Sequence, residues 1–425
     1  MSERECVRNT ANGVSVYSYK NPALHGFYIS AFVKAGCMYE DEKYSGITHF
    51  LEHILIRNVN GLYGMKLYSL LDKFGLEFNA STYSEMVQFY VSGSCVNFKL
   101  GAEIISKILH PVSLSASDVD AERKRIKAEL RESDEKNSLA SFTSKIVFAD
   151  TSLSSSIVGN NKSIDRITAR RLEQYRREVF SKENTFFYVT GNFSSEDIDF
   201  LVSLIESFDV TEGVKKDNAA PVPSNFGKRE TKLHVKNDDF YMLRFTFDID
   251  MSKYTVAETD LLYDLLLSGY NSRLFVEMSE KRGLFYDING AVERYKNIGS
   301  FYFSFELKER NIAEAVELTV DILNSVKDKT VVENDFIKAS YIDNAYLLYD
   351  DSRELNFTFA YDNHIMDANY ASVSERKSRY ESVTAERISE IAGEIFRVEN
   401  LTLTAKGKRK KIDEEKILVV LRRLV

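Results

Sequence analysis

The sequence predicts an α+β fold built from a duplicated unit, and three observations carry that expectation. Runs rich in β-branched and aromatic residues are followed by segments with a helical apolar period. This order, strands before long helices, recurs after a polar stretch holding two of the chain's four prolines. The parts on either side of that stretch are each about 200 residues long, enough for a core of their own.

In chain order, VSVYSY (Val14 to Tyr19) and FYISAFVKAG (Phe27 to Gly36) read as strands with partial alternation. GITHFLEH (Gly46 to His53) opens a helix. YGMKLYSLLDKFG (Tyr63 to Gly75) has apolar residues at helical spacing stopped by glycine, and Glu77 to Gly93 reads as extended chain. The next helix is expected from Ser117, with an acidic residue three later at Asp120 as a capping-box-like start, to about Glu132. FFYVTGN (Phe186 to Asn192) is a strand, followed by a helix from Ser195 to Phe208. Thr211 to Glu230 reads as the connection between halves, which sets the domains at 1–212 and 231–425 with a linker at 213–230. The second half then offers strands at His234, Tyr241 to Phe247 and Ser300 to Leu307, and helices at Thr255 to Leu267 and Ile312 to Val326. Long helical stretches follow.

Composition removes several function classes. The 425 residues are 44% hydrophobic and 28% charged with a formal charge of -8, so a general polyanion-binding surface is not expected. The basic run KGKRKK (Lys406 to Lys411) reads as a solvated turn rather than a nucleic-acid patch. Cys6, Cys37 and Cys95 are widely spaced with no CxxC pair, which argues against a disulfide scaffold and a thiolate zinc site and fits a reducing compartment. MSERECVRNTANG resembles neither a signal nor a transit peptide, and no segment approaches the roughly 20 apolar residues that span a bilayer. A cytoplasmic location without membrane attachment is the expectation.

The chemistry concentrates in HFLEH. Six histidines occur in the whole chain, yet His49 and His53 stand four apart, on one face of a helix. Two imidazoles so placed suit a metal ion, and a catalytic zinc takes three protein ligands with one position open to water. Glu52, three residues after His49, reaches the same face and suits a general base toward a water whose pKa the ion lowers to ~7. The third ligand must come from elsewhere. ERKRIKAEL offers Glu122 and Glu129, about two helical turns apart on one face, either able to complete the site while the other orients a ligand.

HFLEH is the inverted zinc motif HxxEH, and with it the chain resembles the pitrilysin-type (M16) metallopeptidases, in particular the short two-domain branch like the mitochondrial processing peptidase. AGCMYED before GITHFLEH resembles the family's glycine-acid lead-in. FNASTYSE (Phe78 to Glu85) resembles its NAxT segment, IVGNNKSI (Ile157 to Ile164) another shared passage, and YNSRLFVEMSEKRGLFYDI (Tyr270 to Ile288) its second-half motif. The third ligand of the family follows HxxEH by roughly 75 residues, a spacing that Glu129 matches. The resemblance implies His49, His53 and Glu129 as ligands of one zinc per chain, Glu52 as base and Glu122 as an outer carboxylate. It also implies two related α/β-roll domains forming a clam-shell around a chamber, and an edge strand at Asn79, Ala80 and Ser81 pairing with an extended peptide.

One position departs from the family pattern. An arginine and a tyrosine seven residues apart help bind substrate in active members; Tyr286 is present, but Ser279 stands where the arginine is expected. Serine has neither the charge nor the guanidinium fork. Arg282 or a partner subunit would have to supply it. The leading expectation is a zinc endopeptidase acting on unfolded peptides, as a homodimer or a heterodimer with an M16-like chain that brings an arginine-tyrosine pair. The alternative is a catalytically silent scaffold subunit. A metal-binding module without hydrolysis would not account for Glu52.

Overall fold

A computed structural model of the chain describes residues 4–112, 115–132, 138–268, 271–335 and 338–425. Its strands form two sheets. The first contains β1 (Cys6–Asn9), β2 (Ser15–Lys20), β3 (Gly26–Val33), β4 (Glu77–Thr82), β5 (Val87–Ser94) and β6 (Thr185–Gly191), in the order β1-β2-β6-β3-β5-β4. The second contains β7 (Leu233–Lys236), β8 (Met242–Asp250), β9 (Ile288–Arg294), β10 (Ile298–Glu306) and β11 (Leu401–Lys406), in the order β7-β11-β8-β10-β9. Apart from β1, the two topologies are the same. The first strand of each set pairs in parallel with the last, the last runs antiparallel to the second, and the remaining pairs are antiparallel. The duplication expected from the order of elements is therefore a duplication of strand pairing, and the fold is α+β with two related domains.

The helices used below are α1 (Ile47–Leu62), α2 (Leu67–Phe74), α3 (Phe98–Ser106), α4 (Ala116–Glu132), α5 (Leu139–Val147), α6 (Asn161–Arg166), α7 (Ala169–Val179), α8 (Ser195–Glu206), α9 (Val256–Leu267), α10 (Ile312–Ser325), α11 (Ser352–His364) and α12 (Ala385–Ile395). Central strand β3 explains why alternation was only partial in the sequence. Phe27, Ile29, Ala31 and Val33 face the core shared with α1, α3, α7 and α8, while Phe32 faces a second core shared with α11. A strand covered on both sides has no polar face to alternate with. On the α11 side, Ser30 donates to Asn356 Oδ1 at 2.7 Å, and Asn356 donates in turn to the Tyr188 carbonyl at 2.9 Å.

The chain divides into two compact units, each assembled from separated segments. One comprises Met1–Asp134, Ser155–Asn218 and Ala345–Glu375; the other comprises Glu135–Ser154, Ala219–Asn344 and Arg376–Val425. The change of unit at Asn218 falls inside the 213–230 stretch, but the units do not follow chain order as the 1–212 and 231–425 halves do. Helix α11 from the second half covers the first sheet, and α5 from the first half lies on the second, where Thr143 and Thr404 hydroxyls meet at 2.7 Å.

Several local expectations change. The helix expected from Tyr63 begins only at Leu67, because Gly64 and Met65 take left-handed φ values of 59° and 63°. Asn60 closes this break, accepting Leu67 N–H on Oδ1 at 3.1 Å. The capping box of α4 is Ser115 with Asp118, two residues before the expected pair: Asp118 N–H donates to Ser115 Oγ at 3.2 Å and Ser115 N–H to Asp118 Oδ2 at 3.1 Å. Tyr270, which opens the second-half motif, lies outside the described residues. The basic run begins in strand β11, and Lys406, Lys408, Arg409 and Lys411 are ion-paired with Asp238, Asp239, Glu414 and Glu309.

In the second unit Arg229 grips Asp248 with two contacts of 2.7 Å, and both side chains are buried. Burial raises the Asp248 carboxyl and the guanidinium works against it. Arg229→Ala would strand a buried carboxylate, so unfolding stability is expected to fall by about 3–5 kcal/mol. Lys408→Ala breaks an exposed pair and should leave the unfolding midpoint nearly unchanged. Urea unfolding midpoints of the two variants measure this contrast.

Candidate metal centre

Helix α1 sorts its residues by side. Ile47, Phe50, Leu51, Ile54, Leu55 and Val59 repeat at helical spacing and are buried in the first unit's core. The opposite stripe is left with His49, Glu52, His53 and Arg57. Helix α4 packs beside it through Arg57, whose Nη2 donates to Asp118 at 2.8 Å and whose Nη1 donates to Glu122 at 3.0 Å. That clasp sets the register of the two helices and brings Glu129, two turns beyond Glu122, opposite both imidazoles.

His49 Nε2 lies 3.6 Å from Glu129 Oε1, and His53 Nε2 lies 3.7 Å from Glu129 Oε2. These spacings are too long for good hydrogen bonds. They approach the roughly 3.4 Å expected between neighbouring ligands of a tetrahedral zinc with bonds near 2.0–2.1 Å. One ligand atom from each of the three residues falls within 4.8 Å of the others, and among the described residues this is the one group of its kind. The other ring nitrogen of His53 faces Glu122 Oε2 at 3.4 Å, the carboxylate contact that fixes a ligand's tautomer. His49 Nδ1 is buried without a partner, so the only polar outlet of that ring is Nε2, directed at Glu129. The donor set of two imidazoles and one carboxylate fits a zinc ion.

Electrostatics favour the forms that bind a cation. Burial, and then the neighbouring His53, push the His49 pKa down to about 4, leaving a neutral imidazole. Burial raises the Glu122 carboxyl, but His53, Arg125 and Arg57 outweigh it and hold its pKa below the ordinary glutamate value. Glu52 is pushed up by burial, against the opposing effects of Thr82 and His53, and Thr82 Oγ1 donates to its Oε2 at 2.5 Å.

Strand β4 stands next to α1 at the edge of its sheet, paired only with β5. Phe78 and Ala80 pack on the core, and Asn79 shares with Glu52, His53, Met65 and Tyr68 the wall of a cleft of about 500 Å³. Ser81 lies in register with Gln88 of β5. The structure thus gathers His49, Glu52, His53, Asn79, Glu122 and Glu129 in one unit. Ser279, Arg282 and Tyr286 belong to the second unit. There Ser279 Oγ donates to the Phe285 carbonyl at 2.7 Å, Arg282 donates to the Glu277 carbonyl at 2.7 Å, and Tyr286 is 95% exposed. In the second sheet α9 follows β8 as α1 follows β3, but its sequence VAETDLLYDLLL contains no histidine. Cys37 is buried with its thiol pushed up to about 12, far from a thiolate.

Sequence reasoning did not single out Arg57, Asp118 or Thr82. Thr82 ends the FNAST run and carried a usable signal: with period two, it shares the face of Phe78 and Ala80 that turns toward α1. Arg57 and Asp118 had none, because their meeting depends on how α1 and α4 cross.

Residues 15–161 match the family described as insulinase (peptidase family M16), and residues 166–340 match the peptidase M16 inactive domain. The chain belongs to the M16 peptidase family. A Mycobacterium tuberculosis protein called an uncharacterized zinc protease is 23% identical over 76% of this chain and 74% of its own length. The uncharacterized zinc protease YmxG of Bacillus subtilis is 18% identical over 91% of this chain and 94% of its own. Among solved structures, a protease from Helicobacter pylori superposes with a TM-score of 0.83 at 18% identity, covering 96% of this chain and all of that one. The periplasmic protease PqqL from Escherichia coli gives 0.79 at 16% identity, this chain matching 50% of its length. These structural likenesses establish the fold.

Glu129→Gln is expected to lower zinc affinity by more than the roughly 10–100-fold that loss of an outer partner costs, and Glu122→Gln to fall within that range. Competition with a chromogenic chelator, on variants whose circular dichroism matches the parent, measures both.

Proposed function

We propose that the chain is a zinc-dependent endopeptidase that cleaves extended, unfolded peptides. The observation that carries this reading is Glu52, a partly buried carboxylate held by Thr82 on the same helix stripe as His49 and His53, with Glu129 opposite. A site that only stored metal would have no use for a further, partly desolvated carboxylate there. When bound, zinc supplies Lewis-acid polarisation of water and of a peptide carbonyl.

The chain's own residues do the rest. His49, His53 and Glu129 hold the ion, and Glu122 orients the His53 ring. Glu52 accepts the proton of the attacking water and returns it to the departing amine, a role that its burial favours by keeping it a stronger base than an exposed glutamate. Substrate backbone adds to the free edge of β4 at Asn79, Ala80 and Ser81, a mode that reads extended shape more than side chains.

A second reading, in which activity needs a partner M16-like chain in a homo- or heterodimer, is favoured by Ser279 and its neighbours. Ser279 is committed to the Phe285 carbonyl, and Arg282 is tied to the backbone and carboxylate of Glu277. Neither offers a free guanidinium beside Tyr286.

Glu52→Gln should keep zinc and lose peptide hydrolysis by at least ~10²–10⁴-fold, the usual worth of a general base. Near-normal cleavage of an unstructured peptide by that variant would remove Glu52 from the role. For the partner reading, the isolated parent chain should turn over slowly, and Ser279→Arg or an added homologue bearing the arginine-tyrosine pair should raise the rate without raising metal content. Steady-state rates decide: a parent chain as fast as its arginine variant, with no partner present, ends the split-site idea.

A further inference from the structure

We propose that Glu40 is a positioning residue for the metal centre, its partly buried carboxylate capping α1 and countering the helix dipole behind His49, Glu52 and His53. The inference rests on the zinc reading above and concerns a residue outside the ligand set.

The start of α1 has an electrostatic problem. The first four N–H groups of a helix lack intrahelical partners and carry its positive end. The N-cap of α1 is Gly46, which has no side chain, and the first turn contains no acidic residue. Gly46 also cannot be exchanged for a capping residue: its φ is 87°, and a Cβ there would sit 2.7 Å from the Val158 carbonyl oxygen. Yet the first and second turns of this helix hold His49 and His53, the two neutral ligands. A cation is asked to bind at the end of a helix that repels cations, with a single charged ligand, Glu129.

Glu40 resolves this from six residues upstream of the cap. Its Oε2 accepts Gly46 N–H at 2.7 Å and its Oε1 accepts Thr48 N–H at 2.9 Å. Each oxygen is occupied by a donor, an arrangement that suits the ionised carboxylate. The side chain is partly buried, so salt screens its field less than that of a fully exposed carboxylate. Burial raises the carboxyl above its ordinary value, and the Thr48 and Gly46 donors offset that rise only in part. Thr48 is itself fixed by a buried 2.7 Å contact with the Tyr175 hydroxyl, which makes this first turn rigid. An ordinary cap would stabilise α1 and leave metal affinity alone; a charge behind the ligands acts on both.

The test is zinc affinity by chelator competition on the full chain, with melting of the zinc-free protein alongside. Glu40→Gln keeps the shape and removes the charge, and should weaken zinc binding roughly 5–30-fold. Thr168→Ala removes an ordinary cap in the same unit, where Thr168 Oγ1 accepts Arg171 N–H, and should bind zinc as the parent does. A folded Glu40→Gln variant within twofold of the parent overturns the proposal, because a Glu40 that was already protonated would behave as its amide. Equal weakening by Thr168→Ala overturns it too, since the effect would then be general stability. If Glu40→Gln does not fold, Glu40→Asp retains the charge: binding within about threefold of the parent supports the proposal, and a loss beyond tenfold in the folded variant refutes it. A parent chain that takes up no zinc refutes the metal reading itself, which is a different result.

Discussion

Each sheet of this protein has two faces to bury, and the chain meets that demand by lending a helix from each half to the other half's sheet. Helices that follow their own strands cover one face, as α1, α3, α7 and α8 do for the first sheet. The second face of that sheet carries Tyr19, Phe32, Phe186 and Tyr188, and it is closed by Leu355, Phe359 and Ala360 of α11, some 160 residues downstream of β6. Asn356, fully buried within α11, satisfies Ser30 and the Tyr188 carbonyl, so the cover is specific as well as apolar. Leaving such a face open would expose several large aromatic side chains to water. The exchange of segments between the units follows from this requirement.

The candidate metal centre is a consequence of the same packing. Once the apolar stripe of α1 is committed to the sheet, its polar stripe has to face α4, and the Arg57 contacts to Asp118 and Glu122 fix how the two helices lie together. Glu122 is almost fully buried and answers to Arg57, Arg125 and His53 at once. Removing any one of them would leave a carboxylate underpaired in low dielectric, which gives the cluster a single arrangement. Arg123 adds a brace from the same helix, donating to the Ile167 carbonyl just past α6 at 2.7 Å and to that of Ile164 within α6. The candidate ligand atoms are thus positioned largely by neighbours outside the His49, His53 and Glu129 set.

The two halves share a strand topology but divide the labour. The helix after β3 carries HFLEH, and its counterpart after β8 is apolar and anionic. In the second unit the stretch around Ser279 forms a wide helical turn closed by the Ser279–Phe285 contact. There serine makes a local bond to backbone, where an arginine would project a charge.

Sequence alone singled out His49, Glu52 and His53 as the candidate metal-binding stripe, because an i, i+4 histidine pair with an intervening glutamate is a local pattern that any helix displays on one face. It also determined the duplicated order of strands and helices, since apolar periodicity survives without tertiary context. It left Glu122 and Glu129 interchangeable on their residues alone; only the crossing of α1 and α4 decided that Glu129 faces both Nε2 atoms while Glu122 sits behind His53. Strand β11, central to the second sheet, went unread at Leu401 because LTLT is short and lies beside a basic run, and its place depends on pairing with β7 and β8. The continuous halves expected at 1–212 and 231–425 became interleaved units for the same reason: which helix closes a distant sheet face is a matter of three-dimensional burial, and no local period records it.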